Sequence, residues 1–373
     1  MYLFTKKKLQ DLFDRYERWA FSGSMLVGFV VDSVTLTRID LLFDNLVLFF
    51  YLAVAVVGIA ITNLYDTGAW RGTPDGVRLL NRLPSYARTL SPFLMQYAFG
   101  GLLSGFFVFY ARGASFSASW PFLLLLFGLL VGNEFFRTHY RQFLFQVSIL
   151  FFVLYSYMIF FVPIVAGAMG VWVFLLSGLI SIAVMYALMF GFSYLMPTER
   201  HHVRLMVAAS IGTIFLLVNA MYFLNILPPL PLSLKEAGVY HSVTRVEGGY
   251  RVAGERQPWY AFLPLRPTVH VFAGKPVYFY SAVFAPTRLT ETRIAHHWQF
   301  FDAKNDRWVS RSRIEFPITG GADGGYRGYS LKNNIEPGKW RVRVETVRGQ
   351  VLGEERFRIE ISDTAPPLEE QVL

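Results

Sequence analysis

Two hydrophobic periods divide this chain. Up to residue 227, long apolar runs alternate with short polar stretches; from Tyr240 onward, apolar and polar positions change places every second residue. A helix needs about 20 apolar residues to cross a bilayer. The first part offers seven such runs, at 19–36, 43–62, 90–110, 120–136, 143–165, 171–196 and 205–227. The first is interrupted by Asp32, which makes a re-entrant segment its alternative. Ahead of it, Leu9, Leu12, Phe13, Tyr16 and Trp19 recur at helical spacing with charges between them. Residues 1–20 therefore read as an amphipathic helix, at a membrane interface or packed against the bundle. Lys6 to Lys8 do not open a cleavable signal, because Asp11, Asp14, Arg15, Glu17 and Arg18 stand where an apolar core is needed.

Residues 21–227 are thus expected to form a transmembrane all-α bundle of about seven helices. Residues 228–231 form a proline linker: Pro228, Pro229 and Pro231 end the last helix and favour extended, stiff geometry. Residues 232–373 read as an all-β domain. There 241–246 and 250–255 flank a Glu247-Gly248-Gly249 turn, and 276–284 alternates Val277, Phe279, Ser281 and Val283 with Tyr278, Tyr280, Ala282 and Phe284. Ile294, His296, Trp298 and Phe300 share one face; Trp340, Val342 and Val344 point inward, with Arg341, Arg343 and Glu345 outward. Arg356, Arg358 and Glu360 likewise face away from Phe357, Ile359 and Ile361. Six to nine such strands argue for an antiparallel, immunoglobulin-like sandwich.

Composition adds orientation. Only 16% of the 373 residues are charged and 54% are hydrophobic, with a formal net charge of +9. If the N-terminus is cytoplasmic, the inner side carries Lys6, Lys7, Lys8, Arg15, Arg18, Arg71, Arg78, Arg82, Arg88, Arg137, Arg141, Arg200 and Arg204. The outer loops carry only Arg38 and Arg112. That bias places the β domain outside the cytoplasm. No basic block interleaved with aromatics suggests nucleic acid. The absence of cysteine removes disulfides, thiolate metal sites and cysteine nucleophiles. No residue pattern calls for a cofactor or a metal.

Candidate chemistry is sparse. Asp32, Arg38, Asp40 and Asp44 form a polar cluster between the first two runs, on the outer side. Thr37 is placed to cap the second helix, with Asp40 near its positive end and Arg38 available to separate Asp40 from Asp44. Because the exterior segment is net basic, the cluster is expected to dock that domain or rim a cavity beneath it. Asn133 and Glu134 form a second, intramembrane candidate, with Arg137 or Arg141 in reach of Glu134. Glu199, His201 and His202 read as a solvated inner loop. Gly101 with Gly105, and Gly128 with Gly132, allow close helix packing within one chain or between two copies. In the β domain, Gly320 to Gly325 reads as a flexible hairpin loop, not a phosphate loop. Tyr326, Arg327 and Tyr329 beside it are the binding candidates, while Trp298 and Trp340 are assigned to the core.

Several of these segments resemble a known family. AVFAP (282–286), His296 to Trp298, Gly325-Tyr326-Arg327 with Ser330, PGKWRV (337–342) and Val351-Leu352-Gly353 with Phe357 are similar to the bacterial domain of unknown function 2914. FVVDSVTLTRID (29–40) and SASWPFLLLLFGLLVGNE (117–134) resemble the membrane half found with that domain. The resemblance implies a bacterial inner-membrane protein with a periplasmic β domain, and it carries over no catalytic residues. The expectation is a non-enzymatic envelope protein whose β domain binds a glycan or a protein partner. The alternative is a transporter or lipid-linked-substrate enzyme working through Asp32, Asp44 and Glu134.

Overall fold

The computed structural model describes residues 28–36, 38, 40–67, 87–113, 115–135, 142–195, 201–256, 267–286, 292–318 and 321–373. The expected N-terminal amphipathic helix and the capping Thr37 lie outside these residues. The chain divides into two compact units. One is helical and comprises Met1–Ala111, Pro121–Val162 and Val171–Phe223; the other comprises Arg112–Trp120, Pro163–Gly170 and Leu224–Leu373.

Seven helices are described: α1 over 28–35, α2 (Leu42–Thr67), α3 (Ala87–Gly113), α4 (Phe116–Phe135), α5 (Phe143–Ala166), α6 (Val171–Leu195) and α7 (His201–Phe223). Five contain runs long and apolar enough to cross a membrane: Leu42–Tyr65, Leu90–Gly113, Phe143–Ala166, Val171–Ser193 and Val203–Phe223. The apolar run of α4, Ser117–Asn133, is shorter. The turn after α5 is made by Gly167 and Gly170 at positive φ, and Pro163 sits inside the helix. His201 and His202 open α7, so they belong to a helix and not to the loop expected of them.

Gly101 and Gly105 of α3 are used within the chain. A Cβ on Gly101 would meet the Tyr51 ring at 2.7 Å, and one on Gly105 would meet Leu48 at 2.9 Å and Leu36 at 3.1 Å. The small residues thus let α2 seat its large side chains against α3. Gly128 has nothing within 4 Å of that position.

The second unit has eleven described strands in three sheets: β1 (Ser233–Tyr240), β2 (Ser242–Val246), β3 (Gly249–Glu255), β4 (Thr268–Phe272), β5 (Val277–Ala285), β6 (Thr292–Asp302), β7 (Arg307–Ile318), β8 (Gly321–Lys332), β9 (Gly338–Thr346), β10 (Val351–Ser362) and β11 (Leu368–Val372). The sheet orders are β1-β5-β8, β4-β10-β9-β6-β7 and β11-β3-β2. All pairs are antiparallel except β4 with β10, which is parallel. Pro317 falls on β7, the edge of the five-stranded sheet, where a missing N–H costs no ladder bond.

The middle sheet explains the apolar richness of β5. Val277, Phe279 and Val283 face one way, into a core with Trp298, Trp340, Val342, Val344, Phe357 and Ile359 of the five-stranded sheet. Tyr280 and Ala282 face the other way, into a second core with Tyr240, Val243 and Val252. A strand covered on both faces loses its hydrophobic alternation. The sequence therefore suggested a two-layer sandwich where the strands form three layers. The glycine-rich stretch is also not a free loop. From Gly321 its backbone is strand β8, with a register shift opposite Val283–Ala285. A Cβ on Gly325 would stand 3.0 Å from the Val283 carbonyl, so glycine permits the close approach.

The proline linker is not an extended rod. The Leu230 N–H bonds the Pro228 carbonyl at 2.8 Å and the Leu232 N–H bonds Pro229 at 3.0 Å. Residues 227–232 are buried, and Leu232 belongs to the main core. The prolines stop the helix, but burial of the intervening leucines outweighs their preference for extended backbone. Met169, from the turn after α5, packs on the same core.

Candidate binding face of the β domain

The structure divides the expected polar clusters. Arg38 serves both nearby acids: its guanidinium bonds Asp40 at 2.7 and 3.1 Å, and its backbone N–H donates to Asp44 at 3.1 Å. Asp44 lies in the first turn of α2, where a carboxylate suits the positive helix end. That role had been expected of Asp40, but the helix begins at Leu42. Asp32 is on α1, in the neighbourhood of Ser104 and Tyr51. Of the second candidate, the Asn133 and Gln96 amides each donate to the other's backbone carbonyl, at 3.2 and 3.1 Å. The Glu134 side chain, Arg137 and Arg141 lie outside the described residues. Thr62 with Ser91 at 3.0 Å, and Asn63 with Gln146 at 2.5 Å, tie further helices together. Neutral side-chain bonds of this kind join apolar helices.

Tyr326, Arg327 and Tyr329 do not form one surface. Alternation along β8 turns Tyr326 into the main core and Arg327 and Tyr329 toward the other side. Arg327 donates to the backbone carbonyls of Gly248 and Leu373, both at 3.2 Å. Tyr329 stays 41% exposed against Tyr250 and Tyr278. His296 is fully buried between Phe279 and Phe316, with Ser281 at 2.7 Å and Ser330 at 2.9 Å. Trp298 Nε1 donates to the same Ser330 hydroxyl at 3.0 Å. Burial pushes the imidazole down to about 3, so it is neutral and serves packing.

Another polar assembly was not anticipated. Glu255 at the end of β3 accepts the His270 backbone N–H at 2.6 Å and meets the His270 and His241 rings at 2.9 and 3.1 Å. It links the sheet of β3 to β4, and its hydrogen bond raises the His270 pKa. Among the described residues no group of three or more His, Cys, Asp or Glu is placed to hold a metal.

The outward face of the five-stranded sheet is different in kind. The β9–β10 register sets Arg356 opposite Arg341 and Arg358 opposite Lys339. Like charges directly opposite one another destabilise a ladder. Glu354 gathers three guanidiniums: Arg356 Nε at 2.7 Å, Arg343 Nε at 3.1 Å and Arg341 at 3.9 Å. Burial alone would raise the Glu354 carboxyl, but Arg356 and Arg343 hold it below the usual carboxylate range. Glu345, the acid of β9, is engaged by Arg313 at 2.9 Å and His297 at 3.4 Å. Arg341 is 10% exposed, accepted by Gln299 at 2.6 Å and stacked 4.4 Å from the Trp308 ring. Its burial, with Arg343 nearby, pushes the guanidinium down to about 10, still charged at neutral pH. Lys339 lies 5.3 Å over Phe301, whose ring meets Trp308 at 5.2 Å. The result is a cationic row on rigid central strands, bordered by two aromatic rings.

Residues 291–359 match a family described as a protein of unknown function (DUF2914). The C-terminal domain thus carries the family segment expected from the sequence, which takes in β6 to β9 and most of β10. No curated protein matches the chain. An immunoglobulin-like protein from Pseudomonas aeruginosa is similar at 9% identity and a TM-score of 0.21, covering 35% of this chain and 96% of that one. An alkylpurine DNA glycosylase from Pseudomonas fluorescens, bound to DNA containing an abasic site analog, is similar at 10% identity and a TM-score of 0.19, covering 87% of this chain and all of that one. At these TM-scores neither likeness bears on function.

Proposed function

We propose that this is a multi-pass bacterial inner-membrane protein whose exported β domain binds an envelope partner, a glycan or a protein, through the outward face of the five-stranded sheet. The observation that carries the reading is the pair of successive like-charge oppositions on β9 and β10. A structural ladder has no use for them, and such local violations mark sites kept for binding. Among the described residues, in contrast, several polar side chains of the helices bond one another, Thr62 with Ser91, Asn63 with Gln146 and Ser148 with Ser210, which favours an anchoring role for the bundle over transport or catalysis. Self-association, where it occurs, has the Gly128 face to use, since Gly101 and Gly105 are filled from within.

Seven crossings with the N-terminus cytoplasmic fit the five long apolar runs, the 20-residue α4 and the helical 28–35. At 1.5 Å per residue α4 spans about 30 Å, the thickness of the hydrocarbon core. The grouping of 112–120 and 163–170 with the β domain agrees with loop parity, which assigns all three to the outer side. Because the chain has no cysteine, single cysteines report sidedness directly. A membrane-impermeant maleimide is expected to label Lys304→Cys, in the β6–β7 turn, and to spare Arg204→Cys in cells with a permeabilised outer membrane. The reverse pattern overturns the topology. Capture of envelope polymers and proteins on the full chain tests the binding role, and recovery of neither class would refute it.

A further inference from the structure

The row Lys339, Arg341, Arg343, Arg356 and Arg358 faces only Glu354 and Glu360 on its own two strands, because Glu345 is taken by Arg313 and His297. Two features narrow what such a surface accepts. Lys339 and Arg343 stand four residues apart on this face of β9, so their Cα atoms lie about 14 Å apart along the strand, with Arg356 on the neighbouring strand between them in register. A linear repeat of cations suits a polymer with a linear repeat of anions. In addition, Phe301 and Trp308 border the row, and Trp308 is packed on the Arg341 guanidinium, which holds the indole in place. Aromatic faces beside cations suit a ligand that brings apolar ring faces together with acid groups. A chain of uronic-acid sugars has both, whereas an acidic peptide supplies the charges without the rings.

We infer that the outward face of strands β7, β6, β9 and β10 binds an acidic polysaccharide, whose carboxylates pair with Arg343, Arg356 and Lys339 while its sugar rings lie against Trp308 and Phe301. This rests on the binding role proposed above and names its partner class. Arg343 bonds Glu354 through Nε and Arg356 bonds it through Nε and Nη2; their side chains are 26% and 39% exposed, which leaves the remaining guanidinium donors for a second carboxylate. Arg341, stacked beneath Trp308, positions the ring and does not contact the ligand. Neutralising the row's repulsion is the ligand's contribution, so binding is expected to weaken steeply with added salt and to raise the melting temperature.

The test uses the full-length chain in an uncharged detergent, with polygalacturonate as probe and polyglutamate and dextran as comparisons. Saturable binding of polygalacturonate is expected, at least tenfold tighter than polyglutamate, with none to dextran. Arg343→Gln with Arg356→Gln, and Trp308→Ala, should each weaken it at least tenfold. Lys339→Glu guards against misfolded variants. It places an acid opposite Arg358, so it should raise the melting temperature while weakening polygalacturonate binding. No polygalacturonate binding, equal binding of polyglutamate, or unchanged affinity in a folded Lys339→Glu protein would each overturn the inference. A neutral glycan or a protein captured at this face would overturn the acidic-glycan assignment and leave the proposed function standing; capture of nothing would overturn both.

Discussion

The two faces of the five-stranded sheet are built from the same strands and obey opposite rules. The inward face is closed: Trp298, Trp340, Phe357 and Ile359 are buried, and its one imidazole, His296, is neutral between two serine hydroxyls. The His296 and Trp298 ring nitrogens there have hydroxyl partners, as burial demands. The outward face sets arginine against arginine and lysine against arginine in consecutive rungs. A sequence selected for stability alone has no reason to keep that arrangement. The difference separates what holds the domain together from what the domain offers to a partner.

The largest expected effect breaks the inward face. Trp340→Ala should cost about 3–5 kcal/mol, as core aromatic truncations do. Trp308→Ala, its outward counterpart, should cost about 1 kcal/mol, since it loses a partly exposed ring over one cation. Chemical denaturation of both variants checks the contrast; equal losses would mean that the outward ring is also structural.

Next comes the pH response of the buried imidazole. The folded value of His296, about 3, lies below its ordinary 6.5, so the unfolded chain takes up the proton first. The stability from this group is complete above pH 6.5 and falls as pH drops toward 3, by up to about 1.4 kcal/mol per unit. Melting temperatures between pH 7 and 4 should decline in the native chain, and the decline should be shallower in His296→Gln. Parallel slopes would place the proton uptake elsewhere.

Glu355 sharpens the same distinction. It occupies the inward-facing register of β10, opposite Val342, and burial raises its carboxyl to about 7. The unfolded carboxyl ionises near 4.5 and the folded one resists until about 7, so the penalty is absent at low pH and complete above 7. Glu355→Gln should therefore stabilise the domain by about 1–3 kcal/mol at pH 8, and the gain should vanish below pH 4.5. A loss of stability at pH 8 would show that the ionised form has a partner it needs. The smallest effect is on the outward face: Lys339→Glu should add about 0.2–1 kcal/mol by turning a like-charge rung into an opposite one.

How far the sequence reveals these features depends on how many strands each one needs. Inward and outward positions of β6, β9 and β10 follow from alternation within a single strand, and Trp298, Trp340, Arg341, Arg343, Arg356 and Arg358 all face as that alternation suggests. The opposition of Arg356 to Arg341 requires the β9–β10 register, which includes an irregularity between Val351 and Gly353. A slip of one residue there would place different side chains opposite each other, and nothing local fixes the offset. The Glu255 link to His241 and His270 joins strands distant in sequence, so no motif announces it. Tyr326, Arg327 and Tyr329 show the converse error: although they are neighbours in sequence, Tyr326 is parted by the pleat from Arg327 and Tyr329. In the helical part, apolar length located α2 to α7, but which amides meet, as Asn63 meets Gln146, depends on helix packing that periodicity does not encode.

Whether the outward face is a binding surface is tested most directly by a photocrosslinking residue at position 358, within the cationic row, compared with one at position 305, in the exposed β6–β7 turn. In living cells the residue at 358 should give a discrete adduct with an envelope component, abolished by Arg343→Gln with Arg356→Gln, while 305 gives none. Absence of an adduct at 358, or adducts of equal yield from both positions, would contradict a partner-binding role for this face.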